Sequence, residues 1–159
     1  RRAMLSSRNL FGALCRLLPE HERVVIIEET RELHAIRTHA ISLAARAANA
    51  EGMGAVSLDD LTKTALRMRP DRIVIGEVRG AEAWTALRAA TTGHAGSMLT
   101  VHARAATQAL ETLSFLALAG APGFTQEELI GAFERAVDAV VHLERRGPAR
   151  RVAEMRRLA

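Results

Sequence analysis

Two short runs of aliphatic residues, each ending on an acid, constrain the fold more than any other feature of the sequence. Residues 23–29 read RVVIIEE, and residues 72–77 read RIVIGE. Runs of this length, rich in β-branched residues, are typical of short buried strands. Segments of helical period alternate with them from about residue 8 to the end, so the sequence predicts an α/β domain with a mostly parallel sheet.

The other elements follow from the same pattern and from turn residues. Pro19 ends a first helix, Ser57 with its two following acids caps another, and Gly147-Pro148 marks a hairpin turn. We expect helices over residues 9–18, 80–91, 107–119 and 125–136, and one that Ser57 caps and that runs to Met68. We expect strands over 23–29, 39–46, 97–103, 139–145 and 150–156, and a short one through Ile73, Val74 and Ile75 that ends on Glu77. A length of 159 residues suits one domain.

Composition narrows the class of protein. The hydrophobic fraction of 48% and the charged fraction of 25% are ordinary for a globular domain. No apolar run approaches the roughly 18 residues of a membrane span, and no charged-then-apolar leader opens the chain. We therefore expect a cytoplasmic protein, or one peripheral to a membrane. The single cysteine, Cys15, excludes an internal disulfide and disfavours a thiol-rich metal site.

The basic composition of the chain makes nucleic-acid binding a possible function, although a weaker one. The sequence pI of about 10.8 is high, but the net charge is only +4. Because 21 of the 22 basic residues are arginine, the pI overstates the positive field at neutral pH. A C-terminal cluster comprises Arg145, Arg146, Arg150, Arg151, Arg156 and Arg157. Aromatic residues, which stack on bases, make up only 3% of the chain, and this disfavours nucleic acid.

Groups suited to phosphate chemistry stand where the predicted strands end. Glu28 and Glu29 end one strand, Glu77 follows another, and His102 lies near the end of a third. Ligands of open α/β sheets bind outside the carboxyl ends of the strands. A carboxylate there can hold Mg²⁺ through water or deprotonate an attacking water, and Gly76 keeps side-chain bulk away from the strand end. Glu77 and Glu28 are therefore candidate groups for a Mg²⁺ site.

Each candidate also has a purely structural explanation. Glu77 could be a surface carboxylate paired with Arg79 or Arg72, and Glu28 a solvated acid. An isolated histidine, such as His94 or His102, is commonly a structural hydrogen bonder. The separation of those two histidines is not a usual metal spacing, which disfavours zinc.

Taken in order, the segments resemble one known family. ERVVIIEETREL (residues 22–33) is similar to its acidic box, and LRMRPDRIVIGEVRGAEAWTALRAATTGHAGSMLTVHA (residues 66–103) to its divergent Walker B segment followed by its histidine box. The family is that of the type II and type IV secretion and pilus motor ATPases. Within it the resemblance is greatest to CpaF-type ATPases of Flp, or tight-adherence, pili, and it covers about residues 9–155.

The resemblance implies a RecA-like P-loop NTPase domain that works as a homo-oligomeric ring, usually a hexamer. Such a motor hydrolyses ATP with Mg²⁺ to drive pilus assembly or protein export, on inner-membrane platform proteins. By position, Glu77 becomes the Walker B glutamate, Glu28 the acidic-box glutamate, and His94 and His102 the histidine-box pair.

Further matching positions would contact the nucleotide or support its site. They are Glu29, where aspartate is usual, Arg79 and Glu82 of GEVRG.E, Arg46 of R..N.EG.G, and Arg67 and Arg69 of RMRPD. For the last two arginines, an ion pair with Asp71 or Glu77 is an alternative.

The sequence departs from the family where the P-loop is expected. RRAMLSSR precedes the first helix, no G-x-x-x-x-G-K-[ST] can be written on it, and Lys63, the single lysine, lies in another helix. We interpret residues 1–159 as one RecA-like motor domain truncated on its N-terminal side; a degenerate member acting as a non-catalytic interaction module of a motor ring is the alternative. Losing the P-loop strand is expected to leave a gap and an exposed edge in the sheet.

Overall fold

The computed structural model describes residues 7–33, 39–147 and 149–158, and within them the side chains of all but residues 7–9 and 149. Residues 1–6, which belong to the RRAMLSSR segment at the position expected for the P-loop, lie outside this description. The elements in chain order are α1 (Ser7–Leu17), β1 (Val24–Glu28), β2 (Ala40–Ala44), α2 (Leu58–Ala65), β3 (Arg72–Ile75), α3 (Glu82–Thr91), β4 (Met98–Leu99), α4 (Ala106–Ala117), α5 (Gln126–Ala136), β5 (Ala139–Arg146) and β6 (Ala149–Arg157).

Four parallel strands form the central sheet, in the order β2-β1-β3-β4. Val24 lies opposite Ala40 on one side and opposite Arg72 on the other, so β1 is an interior strand. All five of its residues are buried, which explains why its sequence is a continuous apolar run rather than an alternating one. The predicted α/β class with a mostly parallel sheet is confirmed.

Both faces of the sheet are covered. Val25 and Ile27 of β1 point into a core shared with α3, α4 and α5, whereas Val24 and Ile26 point to the opposite face. There they pack with Phe11 and Cys15 of α1. Cys15, only 1% exposed, is therefore a core residue.

Helix α2 begins as the sequence predicts and ends three residues earlier. Its N-terminus is a capping box, in which the Ser57 hydroxyl accepts from the Asp60 N–H and the Asp60 carboxylate accepts from the Ser57 N–H. The chain leaves the helix at Ala65 through a tightened turn, and Arg69 then adopts a left-handed φ of 52°. This reversal directs the chain into β3.

Strand β4 is two residues long, shorter than the predicted 97–103. Its pairing with β3 extends slightly further, because the Thr100 N–H donates to the Ile75 carbonyl at 3.3 Å. Among the described residues, no second strand pairs with β4, so the central sheet ends there. β5 and β6 form a separate antiparallel hairpin, as predicted. No helix in the described part of the chain is long and apolar enough to cross a membrane.

Candidate functional site

At the carboxyl edge of the sheet, each of the four strands ends at or before a predicted site residue. Glu28 ends β1, Arg46 follows β2, Glu77 follows β3 and His102 follows β4. Because the strands are parallel, these ends lie along one edge. This edge is the candidate functional site.

Glu77 contacts two basic side chains, those of Arg79 and His102. Its Oε1 accepts from Arg79 Nε at 2.7 Å and lies 3.0 Å from His102 Nε2, while its Oε2 accepts from Arg79 Nη2 at 3.0 Å. Arg79 also donates through Nη1 to Glu29 Oε2 at 2.5 Å. One arginine therefore joins the acids that follow β1 and β3. The pairing of Glu77 with Arg79, one of the sequence alternatives, is present.

These contacts shift the proton equilibrium of Glu77. The hydrogen bonds from Arg79 lower the pKa of Glu77 below its ordinary value, partial burial opposes that shift, and the charge of His102 adds to it. The same pairing, together with the charge of Glu29, raises the pKa of Arg79. Glu77 is thus held as a carboxylate.

Glu28 is a buried acid whose two carboxylate oxygens differ in their contacts among the described residues. The residue is 4% exposed, and its Oε1 accepts the N–H groups of Glu32 at 3.1 Å and Leu33 at 3.0 Å. Its Oε2 is buried and has no hydrogen-bond partner among the described residues. A solvated strand-end acid would be exposed, so this alternative for Glu28 is wrong. An uncompensated buried carboxylate oxygen is costly unless a ligand or ion satisfies it.

Glu82 shapes the loop that carries Glu77 and Arg79. It is the first residue of α3 and is 6% exposed. Its Oε1 accepts from the backbone N–H groups of Arg79 at 2.6 Å and Gly80 at 2.9 Å. A buried carboxylate thereby fixes the backbone from which the Arg79 side chain reaches Glu77, and its role is to position that loop.

Arg46 borders a cleft beside this network. Its Nε donates to the Gly54 carbonyl at 2.7 Å, and its backbone bridges to Val56, which closes the loop between β2 and α2. The cleft, of about 640 Å³, is lined in part by Glu29, Arg46, Arg79 and Glu82, so four predicted residues share it. The sequence did not predict this cleft.

Three predicted residues lie elsewhere. His94 precedes β4, and its Nδ1 is 3.2 Å from the carbonyl of Ala89 near the end of α3, so it lies at the amino edge of the sheet, away from Glu77. Arg67 and Arg69 precede β3 and are exposed at that same edge. The acids suggested as their partners bond elsewhere: Asp71 accepts from the backbone N–H of Arg23. The structure does not bring these three residues to the carboxyl edge.

Two contacts at the site were not predicted. A Cβ on Gly76 would lie 3.1 Å from Cγ of Glu28, so the group that needs the space above Gly76 is the Glu28 side chain itself. The Thr100 hydroxyl donates to the Gly76 carbonyl in a short hydrogen bond. Apart from the position of Thr100 in the TVHA segment, nothing in the sequence indicated that its hydroxyl would contact the loop before Glu77.

The site has acidic groups without a preformed metal cage. In the described ranges, no three His, Cys, Asp or Glu side chains converge to ligate a metal ion directly. Mg²⁺ usually keeps several waters and binds through one or two carboxylates plus phosphate oxygens. The free Oε2 of Glu28 beside the Gly76–Glu77 loop fits such water-mediated binding.

Fold and site together define an α/β domain that presents acids, an arginine and a histidine at the carboxyl edge of a parallel sheet. The chain belongs to the Type II/IV secretion system protein family, which matches residues 9–150.

Characterised relatives share this sequence and fold over part of their length. The chain is 40% identical over 134 residues to conjugal transfer protein TrbB of Rhizobium radiobacter, covering 84% of this chain and 38% of TrbB. It is 35% identical over 144 residues to VirB11 of Agrobacterium fabrum, covering 89% of this chain and 42% of VirB11. The VirB11 ATPase from the Brucella suis type IV secretion system, solved in complex with sulphate, superposes with a TM-score of 0.82 at 28% identity, covering 94% of this chain and 45% of that one. The chain thus spans about two fifths of the length of these relatives.

Proposed function

We propose that the chain is part of a secretion or pilus-assembly motor ATPase, and that its carboxyl edge handles the Mg²⁺ ion and the attacking water during ATP hydrolysis. The observation that carries the proposal is the contact of His102 with Glu77, which follow neighbouring strands, together with a buried Glu28 whose Oε2 has no partner among the described residues. Kinship with TrbB and VirB11 favours a motor of the type IV class.

In this proposal each residue has a distinct task. Glu28 would help to hold Mg²⁺ through a water on Oε2, which has no partner in the described part of the chain. Glu77 would orient the attacking water and accept its proton, once Arg79 has turned aside from it. His102, exposed beyond the strand end, contacts Glu77 and would be available to a phosphate oxygen. Bound Mg²⁺ would supply the charge that neutralises the phosphate oxygens in the transition state.

In this proposal a segment outside residues 1–159 supplies the phosphate-binding half of the site. The β4 edge, which has no second strand among the described residues, is where we place the P-loop strand of the intact motor. The lysine of that P-loop would supply positive charge to the phosphates of the nucleotide. We further infer a hexameric ring peripheral to the inner membrane and partnered by platform proteins. The CpaF-type assignment to a Flp pilus rests on the motif order GEVRG…TGH…TVHA.

A chimera tests the catalytic proposal. The strand and P-loop of the Rhizobium radiobacter TrbB relative would be joined ahead of residue 7, and phosphate release measured with ATP and Mg²⁺. We expect no turnover from the chain alone and Mg²⁺-dependent turnover from the chimera. Loss of a general base typically costs about 10²- to 10⁴-fold, so Glu77→Gln should reduce kcat by at least about 100-fold without abolishing ATP binding.

Glu111→Gln is the matched control, because Glu111 is an exposed acid of α4 outside the carboxyl edge. Its turnover should equal that of the parent chimera. Equal turnover by the Glu77→Gln chimera would refute the assigned role. Turnover by the unmodified chain would refute the need for an added P-loop.

A further inference from the structure

The β5–β6 hairpin carries the whole net charge of the chain. Residues 139–157 contain six arginines and two glutamates, a net charge of +4, which equals the net charge of all 159 residues. Acids and bases therefore balance in the rest of the chain. The charge is local, so a partner that seeks positive charge would meet the hairpin first.

The two faces of the hairpin differ in composition. Directly opposite residues of an antiparallel pair share a face, and Val141 pairs with Met155 while Leu143 pairs with Val152. These four aliphatic residues form a strip on what we call the outer face. Val140, on the other face, packs against the core. Val141, Val152 and Met155 are 40%, 50% and 71% exposed.

Arginines flank the strip, and the outer face has no acid. Arg145 lies opposite Arg150 at the turn end, and Arg157 lies opposite Ala139 at the base. Both glutamates of the hairpin, Glu144 and Glu154, are on the core-facing side. The outer face is thus an apolar strip with positive charge at both ends, about 25 Å long for eight residues at the rise of a β-strand.

We propose that the outer face is a docking surface for an anionic lipid bilayer, with the aliphatic strip entering the headgroup region and the arginines contacting phosphates. The chemistry favours lipid over nucleic acid because the hairpin contains no Phe, Trp or Tyr to stack on bases. An acid-free apolar strip bounded by cations fits an anionic surface with an apolar interior. The outer face of the hairpin would then be the part of the chain that contacts the membrane, which rests on the membrane-peripheral location proposed above.

Vesicle partitioning tests the surface directly. The 159-residue chain would be sedimented with phosphatidylcholine vesicles and with vesicles containing phosphatidylglycerol, in the absence of nucleotide. We expect binding only to the anionic vesicles, weakened by salt. An arginine near such a surface contributes about 1 kcal/mol, about fivefold in affinity, so Arg145→Gln/Arg150→Gln should weaken binding about 25-fold.

A charge-matched pair of substitutions controls for bulk electrostatics. Arg146→Gln/Arg151→Gln removes the same charge from the opposite face of the hairpin. We expect this control to weaken binding less than about fivefold. Met155→Ser should weaken the binding that remains at high salt, because it removes apolar contact only. Equal losses from the two arginine pairs would overturn the proposal, as would equal binding to neutral vesicles.

A probe of depth separates lipid from other anions. Cys15 is buried, so Val152→Cys can be labelled alone with an environment-sensitive fluorophore. Its emission should shift to the blue on anionic vesicles, whereas the same label at Arg151→Cys should not. Binding to polyglutamate or duplex DNA as tight as to the vesicles would refute the lipid assignment. Because no nucleotide is present, this result is independent of the hydrolysis test on the chimera.

Discussion

Replacing Glu82 should destabilise the domain more than replacing any comparable first-turn acid. The carboxylate accepts two backbone hydrogen bonds, from Arg79 and Gly80, and is 6% exposed. Glu82→Ala would leave both N–H groups without their acceptor in a partly buried loop. It would also remove a negative charge from the N-terminus of α3.

The magnitude follows from these contacts. Hydrogen bonds to a charged group contribute about 1.5–3 kcal/mol each, and the dipole interaction about 0.3–1 kcal/mol. Relief of carboxylate burial offsets part of the loss, so we expect the free energy of unfolding to fall by about 2–3 kcal/mol. Glu82→Gln keeps a carbonyl acceptor but loses the charge, and should cost about 1 kcal/mol.

Urea unfolding measures the effect, followed by far-UV circular dichroism and by the fluorescence of Trp84, the single tryptophan. Glu127→Ala is the control, because Glu127 is an exposed acid in the first turn of α5. It should cost at most about 1 kcal/mol, the dipole contribution alone. If Glu82→Ala costs no more than this control at an unchanged m-value, the positioning role of Glu82 is wrong.

Three further predictions concern the same edge and one helix. The pKa of Glu77 in the folded state lies below its ordinary value of 4.5. Its ion pair therefore stabilises the fold above pH 4.5, and this stabilisation is lost as the pH falls through the folded-state pKa. Arg79→Met should flatten the acid side of a curve of stability against pH, measured by urea midpoints. Gly76→Ala places a Cβ 3.1 Å from the Glu28 side chain and should lower Tm, at a cost of about 1–3 kcal/mol. Gly131→Ala, inside α5, meets only the flexible end of an arginine side chain at 3.3 Å and should raise stability by about 0.5–1 kcal/mol; a loss would show that this contact cannot relax.

Local periodicity predicted the parallel sheet because burial of β1 and β3 on both faces requires continuous apolar runs. Strand direction then predicted that Glu28, Glu77 and His102 share an edge. The same rule, applied to His94, places that residue at the opposite edge, since it precedes β4. The resemblance placed His94 and His102 in one motif. In the structure β4 runs between them, so they lie at opposite edges of the sheet.

Other features depend on contacts between distant residues, which no local pattern encodes. Arg79 meets Glu29, 50 residues earlier in the chain, because β1 and β3 are paired neighbours in the sheet. Helix α2 ends at Ala65 although residues 66–68 have a sequence compatible with a helix, because the chain turns at Arg69, whose φ is left-handed. The two-residue length of β4 reflects the absence of a second strand beside it in the described part of the chain.

The acids Glu77 and Glu29 at the carboxyl edge are both paired with Arg79, and this pairing affects how Glu77 could act as a base. Arg79 satisfies both oxygens of Glu77 and also binds Glu29, so its guanidinium neutralises acids that a catalytic role needs free. A carboxylate with a depressed pKa is a weaker base, because its proton affinity falls with its pKa. If ATP binds here as proposed, its terminal phosphate competes with Glu77 for Arg79, since arginine pairs with phosphate as readily as with carboxylate. Transfer of Arg79 to the phosphate would release Glu77 and raise its proton affinity at the moment when a water must be deprotonated. The ion pair that makes Glu77 look like an ordinary surface acid is therefore the contact through which nucleotide binding would activate it.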